Sequence, residues 1–333
     1  MQHSTLILTG ILWTTVAIAQ WSTDPSVNTR VTNGGLLPQI ISDSHGGAYI
    51  VYQDSPALLR QIWVQRLDHY GYVRFPSNGI RVSSETRNQT PYYFLVSANA
   101  GGVIILFHDF QLIGNTTLSA VYAQRIDSSG TKLWGNAGVE ISPPAHGKLP
   151  VSACSDGESG VFVFWGEDAD SNKIPELWGQ RVNASGKLAW LGKGIMITDQ
   201  LTSLNVAIPN PAVSDGTRGV IVLYSDSTGT RLQRINQQGI FLWKDGTSIF
   251  PVGRQMIEDG QGGAIIAGVR FVLDSTSYHF TVEAQRVNSN GQIAWGNKGI
   301  VIADTVTQNT QLYLAKDSFG GSNSEFVYFQ HCG

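Results

Sequence analysis

The sequence has very few cysteines: Cys154 and Cys332 are the only two among 333 residues. Two cysteines are too few for the disulfide framework of a small secreted scaffold. Charged residues are also scarce at 14%, the formal net charge is −3, and Lys and Arg form no run. Because nucleic-acid-binding proteins normally carry a basic patch, this composition predicts no nucleic-acid partner.

Motifs of common enzymes are missing as well. The chain contains no Gly-x-Ser-x-Gly, no His-Glu-x-x-His, no phosphate-binding loop and no dinucleotide-binding glycine pattern. Its seven histidines occupy no fixed repeat position, which disfavours a ring of histidine-bound metals. We therefore predict no catalytic residues and no resident cofactor. An active site assembled from distant residues would leave no such motif, so catalysis stays open.

An apolar stretch lies at the N-terminus, between Leu6 and Ile18. It is shorter than the ~20 residues of a membrane-spanning helix. Ala17 and Ala19 precede Gln20 with the small-residue spacing of a signal-peptidase site, although the first residues, MQHS, lack the usual Lys or Arg. We predict a cleaved signal peptide over residues 1–19, no membrane span in the remainder, and a protein secreted to the extracellular space or the cell surface.

Glycine, by contrast, is abundant at 37 residues, and much of it belongs to a repeat that occurs five times. The pattern is Gln-Arg, an aliphatic residue, Asp or Asn, two residues, Gly, three residues and an aromatic residue. Its copies begin 59, 56, 53 and 52 residues apart, at Gln65-Arg66, Gln124-Arg125, Gln180-Arg181, Gln233-Arg234 and Gln285-Arg286. The aromatic positions are Phe75, Trp134, Trp190, Trp243 and Trp295.

A second pattern, an Asp followed four residues later by Gly, precedes each copy of the first. The pairs are Asp43/Gly47, Asp156/Gly160, Asp215/Gly219, Asp259/Gly263 and Asp317/Gly321, while the second repeat has Asn99 before Gly102. Apolar, β-prone runs such as AYIVY, VIILF and VFVFW follow these glycines. Short runs of this kind bounded by Gly and Asp predict β-strands.

Each unit therefore predicts four strands, here called a to d. Strand a precedes the Asp-to-Gly turn, strand b follows it, strand c ends in Gln-Arg, and strand d carries the aromatic residue. Four-stranded units of this length without helices predict an all-β protein, a β-propeller of antiparallel blades in one domain over residues 20–333. The blade repeats span about residues 38–83, 91–142, 150–198, 211–250 and 254–303, with a partial sixth at 311–333 that an N-terminal strand within residues 20–31 closes.

These two patterns together resemble secreted bacterial β-propeller repeat proteins of largely uncharacterised function. The resemblance extends over roughly residues 38–321. It implies the propeller fold and export, and it supplies no catalytic residues. The protein is expected to be a monomer or part of a larger surface assembly.

The repeated Arg and Trp residues have two interpretations. Because alternate residues of a strand share a face, Arg66 is expected to meet Asp68, and Arg125 to meet Asp127, with the strand-d aromatic ring as a surface for the Arg. One interpretation is a ring of identical ligand sites. The other, which we favour because every blade has these residues, is a structural link between sheets formed by Arg66, Arg125, Arg181, Arg234, Arg286, Trp134, Trp190, Trp243 and Trp295.

Ligand contacts are expected where the repeats differ, because loops held by a rigid scaffold often carry function. The c–d turn keeps its length, whereas the interval from the Gly before strand b to the Gln of strand c is 18, 22, 20, 14 and 22 residues. The b–c loops therefore supply the candidate ligand residues His108, Asp109, Glu167, Asp168, Asp170, Glu176, Asp274, Tyr278 and His279. The acidic third loop also raises calcium as a ligand, although its spacing matches no complete calcium loop.

The function predicted from these features is a secreted, non-catalytic binding or scaffold module. Its variable b–c face or its central funnel would hold a glycan, a peptide or a surface protein. Two alternatives stay open. One is an extracellular hydrolase or lyase acting on polysaccharide, with loop carboxylates as acid and base. The other is a spacer domain of a longer cell-surface protein.

Overall fold

The computed structural model describes residues 28–54, 60–83, 88–89, 92–113, 116–145, 147–168, 174–202, 212–249, 255–273, 277–306, 311–315 and 326–330. Within these residues the chain consists of antiparallel strands and one 3-10 turn, Asn99–Gly101. None of the described segments is a helix that is long and apolar enough to cross a membrane.

Four of the sheets contain four strands in sequential order, as the repeat predicts, and a fifth sheet contains one additional short strand. Blade 1 consists of β1 (Leu36–Ser42), β2 (Ala48–Gln53), β3 (Ile62–Leu67) and β4 (Ile80–Arg81), and in blade 2 the short β5 (Asn88–Gln89) precedes β6 (Phe94–Ala98), β7 (Gly102–Ile113), β8 (Thr116–Ile126) and β9 (Val139–Ala145). Blade 3 consists of β10 (Leu149–Ser155), β11 (Val161–Glu167), β12 (Glu176–Val182) and β13 (Ile195–Thr198). Blade 4 consists of β14 (Ala212–Ser214), β15 (Val220–Asp226), β16 (Gly229–Ile235) and β17 (Thr247–Ser248), and blade 5 of β18 (Gln255–Glu258), β19 (Ala264–Leu273), β20 (Tyr278–Val287) and β21 (Ile300–Val306).

A sixth sheet contains β22 (Gln311–Ala315) and β23 (Phe326–Gln330). The first strands of successive sheets contact one another in the order β1, β6, β10, β14, β18 and β22. This arrangement confirms the all-β propeller. Six blades with N-terminal closure stay a prediction, because residues 1–27 lie outside the described residues and residues 28–31 form no strand.

Four apolar clusters fill the gaps between neighbouring blades, because both faces of each strand b are buried. In β7, Ile105 and Phe107 pack with blade 1, whereas Ile104 and Leu106 pack with blade 3. Similar clusters join blades 3 and 4 and blades 4 and 5. Each fully buried aliphatic or aromatic side chain contributes about 1.5–3 kcal/mol to folding, which explains why the b strands are continuous apolar runs.

In blades 1, 3, 4 and 5 the repeated Arg of strand c pairs with the Asp that precedes strand b of the same blade. In blade 3, Asp156 Oδ1 accepts the Glu158 and Gly160 N–H groups at 2.8 and 2.7 Å, and Oδ2 accepts Arg181 Nε at 3.0 Å. The same contact joins Arg66 to Asp43, Arg234 to Asp215 and Arg286 to Asp259. The Asp therefore organises its turn and neutralises the Arg.

The expected pairing of Arg66 with Asp68 is wrong. Asp68 accepts the N–H groups of its own c–d turn and lies 3.6 Å from Arg74 NH1. The Arg66 side chain crosses strand b instead, so its guanidinium lies over the ring of Tyr49, 5.9 Å from the centroid.

Side chains of the repeated Arg and Trp also form hydrogen bonds between neighbouring blades. In blade 2, Arg125 NH1 and Trp134 Nε1 donate to the Ala184 carbonyl in the c–d turn of blade 3, at 3.2 and 3.1 Å. Arg234 and Trp243 of blade 4 donate in the same way to Ser289 of blade 5, at 2.9 and 3.0 Å. These are the contacts that a structural link requires.

The acceptor turn needs glycine for two reasons. Gly186 has φ of +79°, and an added Cβ would lie 2.8 Å from Trp134 of the preceding blade. A side chain at this position would therefore strain the backbone and displace the ring.

Candidate functional site

Two b–c hairpins project farther than the others. Strands β7 and β8 contain 12 and 11 residues and β19 and β20 contain 10 each, whereas the b and c strands of blades 1, 3 and 4 contain 6 or 7. The variable intervals of blades 2 and 5 were predicted to be loops, but most of their extra residues extend the strands. Tyr278 and His279 consequently lie on β20, and His108 and Asp109 on β7.

One face of the β19–β20 hairpin carries four apolar side chains, here named the aromatic platform: Phe271, Leu273, Tyr278 and Phe280. Phe271 pairs with Phe280 and Leu273 with Tyr278 across the hairpin, so all four share a face. Phe271, Leu273 and Tyr278 are 53%, 73% and 67% exposed. The Phe271 ring lies 5.7 Å from the Tyr278 ring at an interplanar angle of 33°, and 5.5 Å from the Phe280 ring. The Phe280 ring is half-buried and stands nearly edge-on to the other two, at 63° to Phe271 and 86° to Tyr278, so the exposed aromatic surface consists mainly of Phe271 and Tyr278.

Charged pairs lie on the opposite face of this hairpin. Arg270 Nε and NH2 contact Glu283 Oε1 at 2.6 and 2.5 Å, and Thr281 donates to the same oxygen at 3.1 Å. His279 Nε2 lies 3.2 Å from Asp304 Oδ1 on β21. These contacts hold β20 against its neighbours and so fix the orientation of the platform.

A second polar group, here named the inter-blade cluster, lies between blades 2 and 3 and consists of His108, Ser142, Lys148, Glu167 and Lys193. The Glu167 carboxylate accepts Trp165 Nε1–H at 3.0 Å, lies 3.1 Å from Lys148 Nζ, and contacts Lys193 Nζ. Lys148 Nζ also donates to Ser142 Oγ and to the Pro143 carbonyl. Glu167 and Lys148 are almost wholly buried, whereas the Lys193 side chain is 32% exposed.

Burial shifts the protonation equilibria of this cluster. Burial lowers the pKa of Lys148 to about 8, although Glu140 partly offsets the effect. Burial and the positive charge of Lys148 lower the pKa of Lys193 to about 8. Burial also lowers the pKa of His108 to about 4, against a hydrogen bond with the Lys148 backbone that raises it. The Lys193 ammonium lies 4.0 Å from the centroid of the Trp178 ring, whose face stabilises the cation.

The candidate residues from the sequence fall into separate places. His108, Asp109 and Glu167 are completely buried inside the blades, because strands continue through them, so they do not present a ligand-binding surface. Asp168, Glu176 and His279 are half-buried, Tyr278 is exposed, and Asp170 and Asp274 lie outside the described residues. Tyr278 and His279 are neighbours in β20 but lie on opposite faces of the hairpin, whereas His108 and Glu167 both belong to the inter-blade cluster.

The described part of the chain contains no cluster of side chains that could bind calcium. Glu167, the first acidic residue of the third b–c segment, uses both carboxylate oxygens on lysines. Within the ranges that the structure describes, no group of three or more His, Cys, Asp or Glu side chains is arranged to hold a metal ion.

Sequence reasoning missed Lys148, Lys193, Phe271 and Phe280. The aromatic residues had a signal, because Phe271-x-Leu273 and Tyr278-x-Phe280 alternate as exposed strand residues do. Lys148 and Lys193 had none, because each is distant in sequence from Glu167.

No family model matches this chain, and no curated protein matches it in sequence. Solved structures do resemble it. The chain resembles the polysaccharide lyase Uly1 at 9% identity and a TM-score of 0.45, over 87% of this chain and 75% of that one.

Two further solved structures show a weaker likeness. One is the endo-arabinase from Bacteroides thetaiotaomicron VPI-5482, at 12% identity and a TM-score of 0.33, over 84% of this chain and 99% of that one. The other is Zg3597, a family 117 glycoside hydrolase produced by the marine bacterium Zobellia galactanivorans, at 12% identity and a TM-score of 0.32, over 74% and 81% of the two chains. At such identities the likeness concerns the propeller fold alone.

Proposed function

We propose that this protein is an exported, non-catalytic module that binds carbohydrate polymers through the aromatic platform of blade 5. The observation that carries the proposal is the exposure of Phe271 and Tyr278 on one face of a projecting hairpin. Exposed apolar patches on soluble proteins commonly mark binding surfaces. Export would depend on the predicted signal peptide at residues 1–19.

This exposed surface suits a carbohydrate ligand better than a peptide that binds by burying an anchoring side chain. Sugar rings have flat faces of C–H groups that stack on aromatic rings, and hydroxyl groups around their edges that form hydrogen bonds. The platform supplies the rings, while the Tyr278 hydroxyl supplies a donor and acceptor at its exposed end. The exposed side chains follow one another along two paired strands, so an extended polymer lying along the hairpin would contact more of them than a small ligand would.

A glycan-array screen of the full chain, with and without calcium, tests the proposal. The double variant Phe271→Ala/Tyr278→Ala is expected to bind any retained glycan at least about tenfold more weakly, because central aromatic residues dominate binding energies. The control Leu191→Ala removes a side chain that is 96% exposed elsewhere on the molecule, and its binding should equal that of the wild type. Equal affinity of the wild type and the double variant would show that the platform is not the binding site. A folded wild type that binds no glycan on the array would reject carbohydrate as the ligand.

A second candidate function, a polysaccharide-acting enzyme, has one specific observation in its favour. Lys193 is a partly exposed amine with a pKa lowered to about 8, held beside a buried carboxylate. A group that titrates near neutrality is suited to accept or donate a proton, and such groups cluster at catalytic sites. Lys193 would be the acid–base residue, with Glu167 and Lys148 holding it in place.

This candidate predicts that the wild type releases new reducing ends from a polysaccharide that it binds. The rate should follow an apparent pKa near 8, and Lys193→Gln should abolish turnover while leaving glycan affinity unchanged. No new reducing ends from any bound polysaccharide, or unchanged turnover in Lys193→Gln, would reject the enzyme.

A further inference from the structure

In blades 1, 3, 4 and 5 an Asp carboxylate lies beside the repeated Arg of strand c. Blade 2 lacks this carboxylate. Ser97 pairs with Val103 in blade 2 as Ser42 pairs with Ala48 in blade 1, so the residue equivalent to Asp43 is Ala98. The sequence pattern had suggested Asn99 as the equivalent residue, which is a misalignment by one position. Asn99 occupies the place of Ser44, and its Nδ2 donates to the Gly157 carbonyl of blade 3 at 2.9 Å.

Arg125 is left with a buried donor that lacks an acceptor. In blades 1, 3, 4 and 5 the equivalent Arg Nε lies 2.8–3.2 Å from an Asp Oδ2. Arg125 NH1 reaches Ala184, as in the repeat, but Nε is buried and has no hydrogen-bond partner among the described residues. A guanidinium N–H that is buried without an acceptor is costly, because it loses water and gains nothing in return.

The other four blades show where the missing carboxylate would lie. An added Cβ on Gly47, Gly160, Gly219 or Gly263 would lie 2.3–2.7 Å from the Asp Oδ2 of its blade. The equivalent Cβ on Gly102 would meet the Ile126 carbonyl at 2.9 Å and the Cβ of Ala98 at 3.5 Å, and its nearest neighbours include no carboxylate. The nearest acid along the chain, Asp127, accepts three hydrogen bonds of 2.7–2.9 Å within its own turn. Neither Ala98 nor Asp127 therefore places a carboxylate oxygen on Arg125 Nε.

We propose that blade 2 binds a small monovalent anion of the chloride type in the space beside Ala98, where its charge is paired with Arg125. The anion takes the place of the Asp carboxylate and accepts the Arg125 Nε–H. The site lies at the a–b turns, on the face opposite the b–c hairpins, so it is independent of the proposed glycan surface. It is a property of one blade, created by the loss of one carboxylate.

The test uses ³⁵Cl NMR on the full chain, because chloride exchanging from a protein site has a broadened resonance. Wild-type protein is expected to broaden the line, and bromide is expected to reverse the broadening with saturation. Ala98→Asp restores the carboxylate of the other blades and should abolish the excess broadening. Broadening that is equal in wild type and Ala98→Asp, or that bromide does not displace, would overturn the proposal.

Thermal unfolding gives a second readout. In sodium chloride, against sodium gluconate at equal ionic strength, the Tm of the wild type should rise by roughly 2 °C once chloride exceeds its dissociation constant about tenfold. Ala98→Asp should unfold at a higher temperature than the wild type in gluconate and should show no chloride-specific rise. A wild type with no chloride-specific rise would contradict the proposal.

Discussion

Replacing Glu167 with glutamine is expected to lower the free energy of unfolding by about 3–5 kcal/mol at pH 7. The carboxylate lies between the Lys148 and Lys193 ammonium groups, and Lys148 is almost wholly buried. Glutamine retains an acceptor for the Trp165 N–H, but it leaves two positive charges without a counter-charge. An ion left alone in an apolar interior costs far more than an ion pair contributes.

The pH dependence of this defect identifies its cause. The pKa values of both lysines lie near 8 in the folded protein against 10.5 for an ordinary lysine, so between these values the unfolded chain binds more protons and stability rises with pH. Above pH 8 both lysines are neutral in the folded wild type and need no counter-charge, so the Glu167→Gln defect should be smaller at pH 10 than at pH 7, with the change falling near pH 8. Urea denaturation at pH 7 and pH 10 measures it, with Glu158→Gln as the control.

Glu158 is a suitable control because it also pairs with two cations, Arg181 and Arg218, but it is 39% exposed. Its replacement should cost less than about 1 kcal/mol at both pH values, as is usual for exposed ion pairs. A Glu167→Gln defect as small as that of Glu158→Gln, or one that does not change with pH, would contradict the buried-charge explanation.

Acid should destabilise the wild type through His108 by about 3 kcal/mol between pH 6.5 and pH 4. Burial lowers the pKa of His108 from 6.5 to about 4. Between about pH 6.5 and pH 4, His108 binds a proton in the unfolded chain but not in the folded protein. The free energy of unfolding is therefore unaffected by protonation of His108 above pH 6.5 and decreases as the pH falls towards 4.

His108→Gln removes this titration, so the comparison of the two proteins isolates it. Between pH 8 and pH 4, the free energy of unfolding of the wild type should fall by about 3 kcal/mol more than that of His108→Gln. The other carboxylates titrate equally in both proteins and cancel in the difference. Parallel curves would mean that His108 takes up its proton in the folded protein as easily as in the unfolded chain.

The repeat in the sequence predicts most of the fold because it is dictated by local chemistry. The Asp/Asn-to-Gly spacing after Gln-Arg specifies the c–d turn with a left-handed glycine, and Gly71 and Gly186 have the positive φ that this turn requires. Apolar runs between the turns specify strands that are buried on both faces. The partner of the conserved Arg was not predictable in this way, because Asp43 and Arg66 meet only after β2 and β3 have paired.

The candidate sites were harder to predict because they depend on strand length and on contacts between blades. The intervals around His108 and Tyr278 looked like loops, yet hairpin pairing extends the strands through both residues. Lys148 joins Glu167 only because the connection between blades 2 and 3 passes over the end of β11. Neither fact leaves a local pattern.

The link between blades has a direction, and this has an evolutionary consequence. Blades 2, 3 and 4 carry both halves of the joint: Trp134 of blade 2 donates towards blade 3, for example, while the Gly130 turn of the same blade receives Phe75 of blade 1. A duplicated unit of this kind brings its own donor and its own acceptor turn, so it presents matching ends to its neighbours. Unequal recombination within the gene can therefore change the number of blades while these joint contacts are kept, and each copy's b–c hairpin is free to diverge in length.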